Sequence, residues 1–338
     1  MDRRIIGGKA GPRGKSTPPS ASAAPGVAHV RVDEAGEGQR LDNFLVRLLK
    51  GVPKTHVYRV IRSGEVRVNK GRAAADTRLA IGDEVRVPPV RVADRSDRPP
   101  APAREFPVVY EDEHLIAVDK PAGVAVHGGS GVSFGVIEQL RRARPEASFL
   151  ELVHRLDKET SGLLLIAKKR SALTALQDQL RQRQGDKAMA KTYAALVVGA
   201  WPAGRKVIDV PLHKFLTGAG ERRVRTVDAG HDDAKRSITL VKVARRFKDC
   251  TLLDVTIKTG RTHQIRVHLT HEGHAIVGDA KYGDFALNRA FARGPARFER
   301  MFLHARRLRF QHPASGEVVE LESPLPAECE ALLAALPP

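Results

Sequence analysis

The chain has 338 residues, with 57 Lys and Arg against 39 Asp and Glu, a net charge of +18 and 42% hydrophobic residues. So basic a balance makes a polyanion the default partner, and the hydrophobic content excludes a wholly disordered basic tail protein. No apolar run reaches the roughly 18–20 residues that span a bilayer, and Ile5–Ile6 after Arg3–Arg4 is too short for a signal-peptide core.

Residues 1–28 carry four Pro, five Gly and no aromatic, a composition that cannot bury enough apolar area to offset ordering, so a disordered basic arm is expected. Residues 29–90 follow as a compact basic module. Leu41, Phe44, Leu45, Leu48 and Leu49 recur at helical spacing. Val57, Val60 and Ile61 mark a second helix, stopped by Ser63–Gly64. Val66–Asn69 and Val85–Val87 alternate apolar with polar residues, as short half-exposed strands do. The stretch Arg40–Leu41–Asp42–Asn43–Phe44, then Lys54 to Val60, Ser63 to Asn69 and Gly82–Asp83–Glu84–Val85, resembles the S4 RNA-binding domain. That resemblance implies RNA contacts from Arg40, Lys54, Arg59 and Arg67; the alternative for Arg40 is a plain ion pair with Asp42 at a helix start. Pro88 to Pro107 holds six prolines, and residues 91–107 read as a semi-extended linker.

Residues 108–338 form one larger domain. Strands are predicted at Leu115–Asp119, Gly162–Lys168, Lys191–Gly199, Ile238–Val243, Thr251–Lys258, Leu303–Phe310 and Gly316–Leu321. Helices are predicted at Phe134–Ala143, Ser171–Gln184, Thr262–Glu272 and Ala327–Leu336. Because strands and helices do not alternate strictly, an α+β fold is expected rather than a doubly wound parallel sheet.

The densest chemical feature is Leu152–Gly162, where Asp157 sits between Arg155 and Lys158 just before a glycine that opens an apolar strand. Adjacent cations favour an ionised carboxylate, which suits a nucleophile. On these residues alone a salt-bridged loop aspartate is the commoner outcome. Four histidines crowd His263 to His274, yet no Cys or HExxH pattern supports a metal, and basic helix-face histidines near RNA are the better account. Gly128–Gly131 lacks a phosphate-cradle pattern and reads as a loop. Asp157 and Glu159, two apart, do not face each other on a helix or a strand, which weighs against a two-carboxylate hydrolase.

His154–Arg155–Leu156–Asp157, then Thr160–Ser161–Gly162, is similar to the catalytic loop of the RluA-type pseudouridine synthases, with every fixed position present. Lys191–Thr192–Tyr193 and Gly260–Leu269 resemble that family's second and third motifs, in order. Supporting matches are Val118–Gly123, Gly278–Asp279 with Lys281–Tyr282–Gly283, and Met301–Ala305. The S4 module, Lys50–Pro53 and Asn288–Arg289 are similar to the family's large-subunit ribosomal RNA group, group C. Departures fall at Gly185–Ala190 and at Ser237.

The resemblance implies a small S4-type domain followed by a synthase domain with a mainly antiparallel mixed sheet. It implies an enzyme that converts uridines of 23S ribosomal RNA, in the large-subunit precursor, to pseudouridine, without cofactor or metal. Asp157 is then the nucleophile, attacking either C6 of the base or C1′ of the sugar. Tyr193 stacks on the base and stands near C5, although a core tyrosine is the plain alternative. Arg266 pairs with Asp157, with Arg261 as a rival, and Ile265 packs on the base. Arg155 fills the space of the extruded uridine, and His154 belongs to the same RNA-facing loop. Cys250 and Cys329 lie far apart and outside any CxxC, which excludes a disulfide scaffold and points to a reducing compartment. A cytoplasmic monomer without a membrane partner is expected. A competing reading is a ribosome-assembly factor that binds RNA through the S4 module alone.

Overall fold

The computed structural model describes residues 26–49, 52–90, 100–129, 132–182, 185, 188–218 and 221–338. The expected arm falls outside the described residues as far as residue 25, and so does the linker over 91–99. The chain divides between Asp97 and Arg98 into two compact units.

The first unit runs β1 (Ala28–Arg31), α1 (Leu41–Leu48), α2 (Lys54–Arg62), β2 (Arg67–Val68), β3 (Gly71–Arg72) and β4 (Glu84–Val87). The four strands form a sheet in the order β1-β4-β2-β3. Leu41, Phe44 and Leu45 of α1 and Val57, Val60 and Ile61 of α2 point into one core with Val66, Leu79 and Val85. The helical stripe read from the sequence is the packing face through Leu41, Phe44 and Leu45 with Leu49 against it, but Leu48 is 42% exposed. Lys54, Arg59, Arg62, Arg67, Lys70 and Arg72 are exposed. Arg40 forms the ion pair with Asp42 that its place at a helix start allowed. Its Nε and Nη2 donate to Asp42 at 3.2 and 2.7 Å, and the Tyr58 hydroxyl donates to the same carboxylate at 2.9 Å. Asp42 is buried and needs a counter-charge, so Arg40 is held in an ion pair with it while its own side chain stays 41% exposed.

The second unit contains β5 (Val108–Glu111), β6 (Leu115–Lys120), α3 (Val136–Ala143), β7 (Glu151–Leu152), β8 (Ser161–Ala167), α4 (Arg170–Arg181) and β9 (Ala190–Val198). Then come β10 (Val207–Asp209), β11 (Leu212–Leu216), β12 (Arg222–Thr226), β13 (Ile238–Arg246), β14 (Cys250–Ile257) and α5 (Gln264–His271). It ends with α6 (Phe285–Arg293), β15 (Leu303–Gln311), β16 (Val318–Glu322) and α7 (Ala327–Ala335). A ten-stranded sheet follows the path β10-β13-β14-β9-β15-β8-β6-β5, with β16 on β15 and β7 on β8. Every pairing is antiparallel except β15 with β8. The fold is α+β, with a mixed and mainly antiparallel sheet.

Each predicted strand of this unit has a counterpart, shifted by a few residues. The elements without a sequence signal are the short β5, β7 and β10, the β11–β12 hairpin and α6. The hairpin is rich in cations and its strands bury one side chain each, so no apolar alternation marks it. The linker, expected to reach residue 107, stops earlier: Phe106 is buried in the core and Asp119 donates its backbone N–H to the Pro107 carbonyl at 2.8 Å. One aromatic suffices to dock that segment.

β8 is buried along its whole length, which explains its unbroken apolar run. Its entry is Gly162, at φ +105°, where a Cβ would lie 2.4 Å from the Ala305 carbonyl oxygen of β15. Only glycine fits this close approach at the mouth of the Asp157 loop. Gly162→Ala is expected to cost more than about 2 kcal/mol of stability. Chemical denaturation checks this; a midpoint equal to wild type would contradict it.

Candidate active site

Asp157 lies in the loop between β7 and β8. Two ties fix that loop from behind. The Lys120 ammonium, fully buried, donates to the carbonyls of Pro121, Val124 and Lys158 at 2.9, 2.6 and 3.0 Å. Burial pushes its pKa down to about 7, while the three carbonyls favour the charged form. On the other flank Ser161 Oγ meets His304 Nδ1 at 2.9 Å and accepts from Arg300 Nη2 at 2.6 Å. The loop is held by buried polar contacts on both sides of Asp157.

The carboxylate faces a cleft of about 1100 Å³. Arg266, on the first turns of α5, donates from Nη1 to Asp157 Oδ2 at 3.1 Å. Its remaining fork is bound to Asp279, with Nε and Nη2 each 2.8 Å from a carboxylate oxygen. Asp279 also accepts backbone N–H bonds from Lys281 and Tyr282 at 2.8 and 3.0 Å. The Arg266 guanidinium lies 5.0 Å from the centre of the Tyr282 ring. The side chains are 8% exposed for Arg266, 1% for Asp279 and 25% for Asp157. Of the three charged groups, Asp157 and Arg266 line the cleft, Asp157 being the more exposed, and Asp279 does not. The triad sums to one negative charge, and that surplus sits on the accessible member.

Desolvation and the two carboxylates act oppositely on Arg266, and the carboxylates win: its pKa is raised. Asp279 is lowered despite burial, through Arg266 and the two backbone N–H groups. Arg266 is therefore an internal cation and not a surface-helix charge. Arg261, its rival, is turned elsewhere, with Nε 3.3 Å from the Arg236 carbonyl, although it lines the cleft.

Tyr193 is buried in β9 between Val255 of β14 and Ala305 of β15, and it also lines the cleft with Ile265. Burial, then the Asp157 carboxylate, raises its pKa, so the phenol stays protonated at neutral pH. Arg155 is exposed on the cleft rim.

His154 lines the cleft and is tied to the sheet behind it. Its Nε2 accepts the Leu165 N–H at 3.1 Å, and burial pushes its pKa down to about 3. The ring is neutral and anchors the loop to β8. His268 departs from an RNA-facing helix position: it is fully buried, between Thr239 Oγ1 at 2.8 Å and the Val210 carbonyl at 2.9 Å. Sequence reasoning placed Asp279, Tyr282, Lys120 and His263 in motifs without giving them roles. A buried acid two residues before Lys–Tyr carries no periodic signal, and only the fold brings it to Arg266.

The buried histidines set an acid limit. His154, His268 and His304 are all depressed by burial, so unfolding takes up protons below their ordinary pKa. Their contribution is complete above about pH 6.5 and fades as pH falls toward the folded value. With the folded His154 at about 3, this group alone costs on the order of 2 kcal/mol between pH 7.5 and pH 5. Denaturant unfolding at the two values is expected to show the loss; equal stability would contradict it.

Among the described residues no helix is long and apolar enough to cross a membrane, and no group of three or more His, Cys, Asp or Glu is placed to hold a metal. Cys250 and Cys329 are free and buried, with thiols pushed up to about 11 and 12 by burial.

A basic module, a mixed sheet and an arginine-held aspartate at a cleft agree with what the motif resemblance implies, and comparison with known proteins gives the class. Residues 114–271 match the RNA pseudouridylate synthase family model, and residues 39–85 match the S4 domain. The chain belongs to the RNA pseudouridylate synthase family. It is 50% identical over 305 residues to the ribosomal large subunit pseudouridine synthase C of Escherichia coli K12, covering 88% of this chain and 92% of that protein. To the protein of the same name from Pasteurella multocida it is 47% identical over 316 residues, covering 92% and 94%. The solved structure of human RNA pseudouridylate synthase domain containing 1 aligns with a TM-score of 0.55 at 27% identity, over 69% of this chain and 89% of that one.

Proposed function

We propose that this RNA pseudouridine synthase isomerises a small set of uridines in large-subunit ribosomal RNA, with Asp157 as nucleophile. The observation that carries the reading is the Asp157–Arg266–Asp279 arrangement: one carboxylate at a cleft, held by a cation whose remaining valence is occupied. The relatives in Escherichia coli and Pasteurella multocida carry the large ribosomal subunit in their names, and this supports the same substrate here. The S4 unit and its exposed cations support RNA holding by phosphate contact.

In the isomerisation the C1′–N1 bond breaks and a C1′–C5 bond forms. N1 gains a proton and C5 loses one, so the atoms balance without a co-reactant. The glycosidic bond of a stacked uridine is out of reach of Asp157, so the nucleotide leaves its stack at a cost of a few kcal/mol. Arg155 at the cleft rim fills the vacated space. The base rests between Tyr193 and Ile265, whose neutral faces permit it to rotate. Arg266 holds and aims Asp157 through one N–H, leaving the second oxygen for attack. A cytoplasmic monomer that meets the precursor of the large subunit is the setting this reading implies.

Incubating the protein with an unmodified large-subunit ribosomal RNA transcript and mapping pseudouridine at single-nucleotide resolution tests the proposal. Conversion at a few defined uridines is expected. No conversion, with RNA bound, would overturn it in favour of a binding factor without chemistry.

A further inference from the structure

One group bonds Asp157 Oδ2 and a second stands near it beyond hydrogen-bond distance, and both are tied to the same short turn. Arg266 is one; Asp279 holds its fork. The other is His263, whose Nε2 stands 3.9 Å from Asp157 Oδ2 and whose Nδ1 lies 2.8 Å from the Tyr282 hydroxyl. Val224 donates its backbone N–H to that hydroxyl oxygen at 3.1 Å. The hydroxyl proton is then left for His263 Nδ1, which makes Nε2 the N–H of a neutral ring and turns it toward the carboxylate. Burial lowers the pKa of this histidine, in accord with the neutral form. His263 is also one of four non-glycine residues at positive φ among the described ones, at +53°. A left-handed histidine is strained and persists where its surroundings impose it.

Val224 belongs to the β11–β12 hairpin, and a second staple joins the same two pieces. Lys281 Nζ donates to the Arg222 carbonyl at 2.7 Å and pairs with Glu221 at 2.7 Å. Beneath them Leu212 and Val224 pack on Val267 of α5, with Tyr282 against the cluster. The hairpin also forms one wall of the cleft, through Lys214, Leu216 and Arg222 among others. Lys214, Arg222 and Arg225 are exposed, and Leu216 is 65% exposed. An RNA strand that delivers a base to this cleft therefore lies against a cationic hairpin.

We propose that the turn Asp279–Tyr282 is a transmission element, stapled to the RNA-contacting hairpin on one side and holding both partners of Asp157 on the other, so that seating RNA on the hairpin sets the aim of the carboxylate. This rests on the reading of Asp157 as nucleophile. Asp279, Lys281, Tyr282 and His263 are then positioning residues. They act through Asp157 and need not touch the substrate, and the hairpin cations act on both affinity and rate.

The test uses full-length protein and a large-subunit ribosomal RNA transcript, with the dissociation constant and the single-turnover rate at saturating enzyme measured separately. Tyr282→Phe keeps the ring over Arg266 and removes only the hydroxyl. Lys281→Met cuts the second staple from the surface and serves if Tyr282→Phe does not fold. Each is expected to lower the saturated rate about tenfold, with affinity within about twofold of wild type, because a small misplacement of a reacting group costs this much. His263→Gln, which retains an N–H donor, is expected to keep more of the rate than His263→Ala. Arg225→Ala weakens binding and lowers the saturated rate as well. Its rate loss and that of Tyr282→Phe do not add in the double variant, since both break one connection. Wild-type saturated rates in Tyr282→Phe and Lys281→Met would overturn the proposal, as would fully additive losses. An active Asp157→Asn protein would instead overturn the underlying assignment of the nucleophile, so the two failures are distinct.

Discussion

Asp157→Asn is expected to lower the single-turnover rate of pseudouridine formation by at least about 10³-fold, equivalent to roughly 4 kcal/mol of barrier, with RNA affinity within about twofold of wild type. The substitution keeps size and shape and removes the charge that the reaction needs. Stability is expected to change little, for a reason that lies in the triad. Arg266 is shared between two carboxylates, so a neutral residue at 157 leaves a balanced pair of Arg266 with Asp279. Rate measurement at saturating enzyme, with filter binding of the same transcript, separates the two quantities. Equal pseudouridine from both proteins would remove Asp157 from the mechanism.

Arg266→Met carries the opposite signature, since it removes the only cation that bonds both Asp157 and Asp279 in the described structure. Asp279 is 1% exposed and retains only the N–H groups of Lys281 and Tyr282. Breaking a buried ion pair from one side costs about 3–5 kcal/mol, chiefly because the remaining charge is stranded. Activity falls with it, since Asp157 loses its aim. The double variant Arg266→Met, Asp279→Asn removes the stranded charge, and much of the lost stability is expected to return while activity does not. Thermal or urea unfolding alongside rate assays checks both halves. A single variant as stable as wild type would show that the triad contributes nothing to the fold.

How far the sequence could be read depended on the kind of signal. Apolar runs such as Leu163–Ala167 and the Leu41–Leu49 stripe are imposed by burial on one strand or one helix face, and the structure keeps them within a few residues. The pairing of Arg266 with Asp157 followed from motif resemblance, and the two groups do meet. What the chain did not reveal is contact between segments distant in sequence. Asp279 and Tyr282 lack any pattern that says which arginine or histidine they hold. Arg40 and His154 show the converse: one dimension does not reveal that a buried Asp42 and the Leu165 amide each claim part of their polar atoms. The hairpin left no trace because half-buried cationic strands have the composition of a loop.

The central claim is a division of labour. Surface cations of the S4 unit hold RNA without reading its sequence, while the hairpin cations also aim the cleft carboxylate, Asp157, that performs the isomerisation. Release of tritium from RNA labelled at uridine C5, followed in single turnover from about 50 to 200 mM salt, tests it directly. Affinity is expected to weaken by on the order of 10³-fold if about six phosphates are neutralised. The rate at saturating enzyme is expected to fall far less than affinity, because Arg266 and Asp279, which aim Asp157, are buried from the ions that compete for phosphates. A binding constant indifferent to salt, or a saturated rate that falls in step with affinity, would contradict the account.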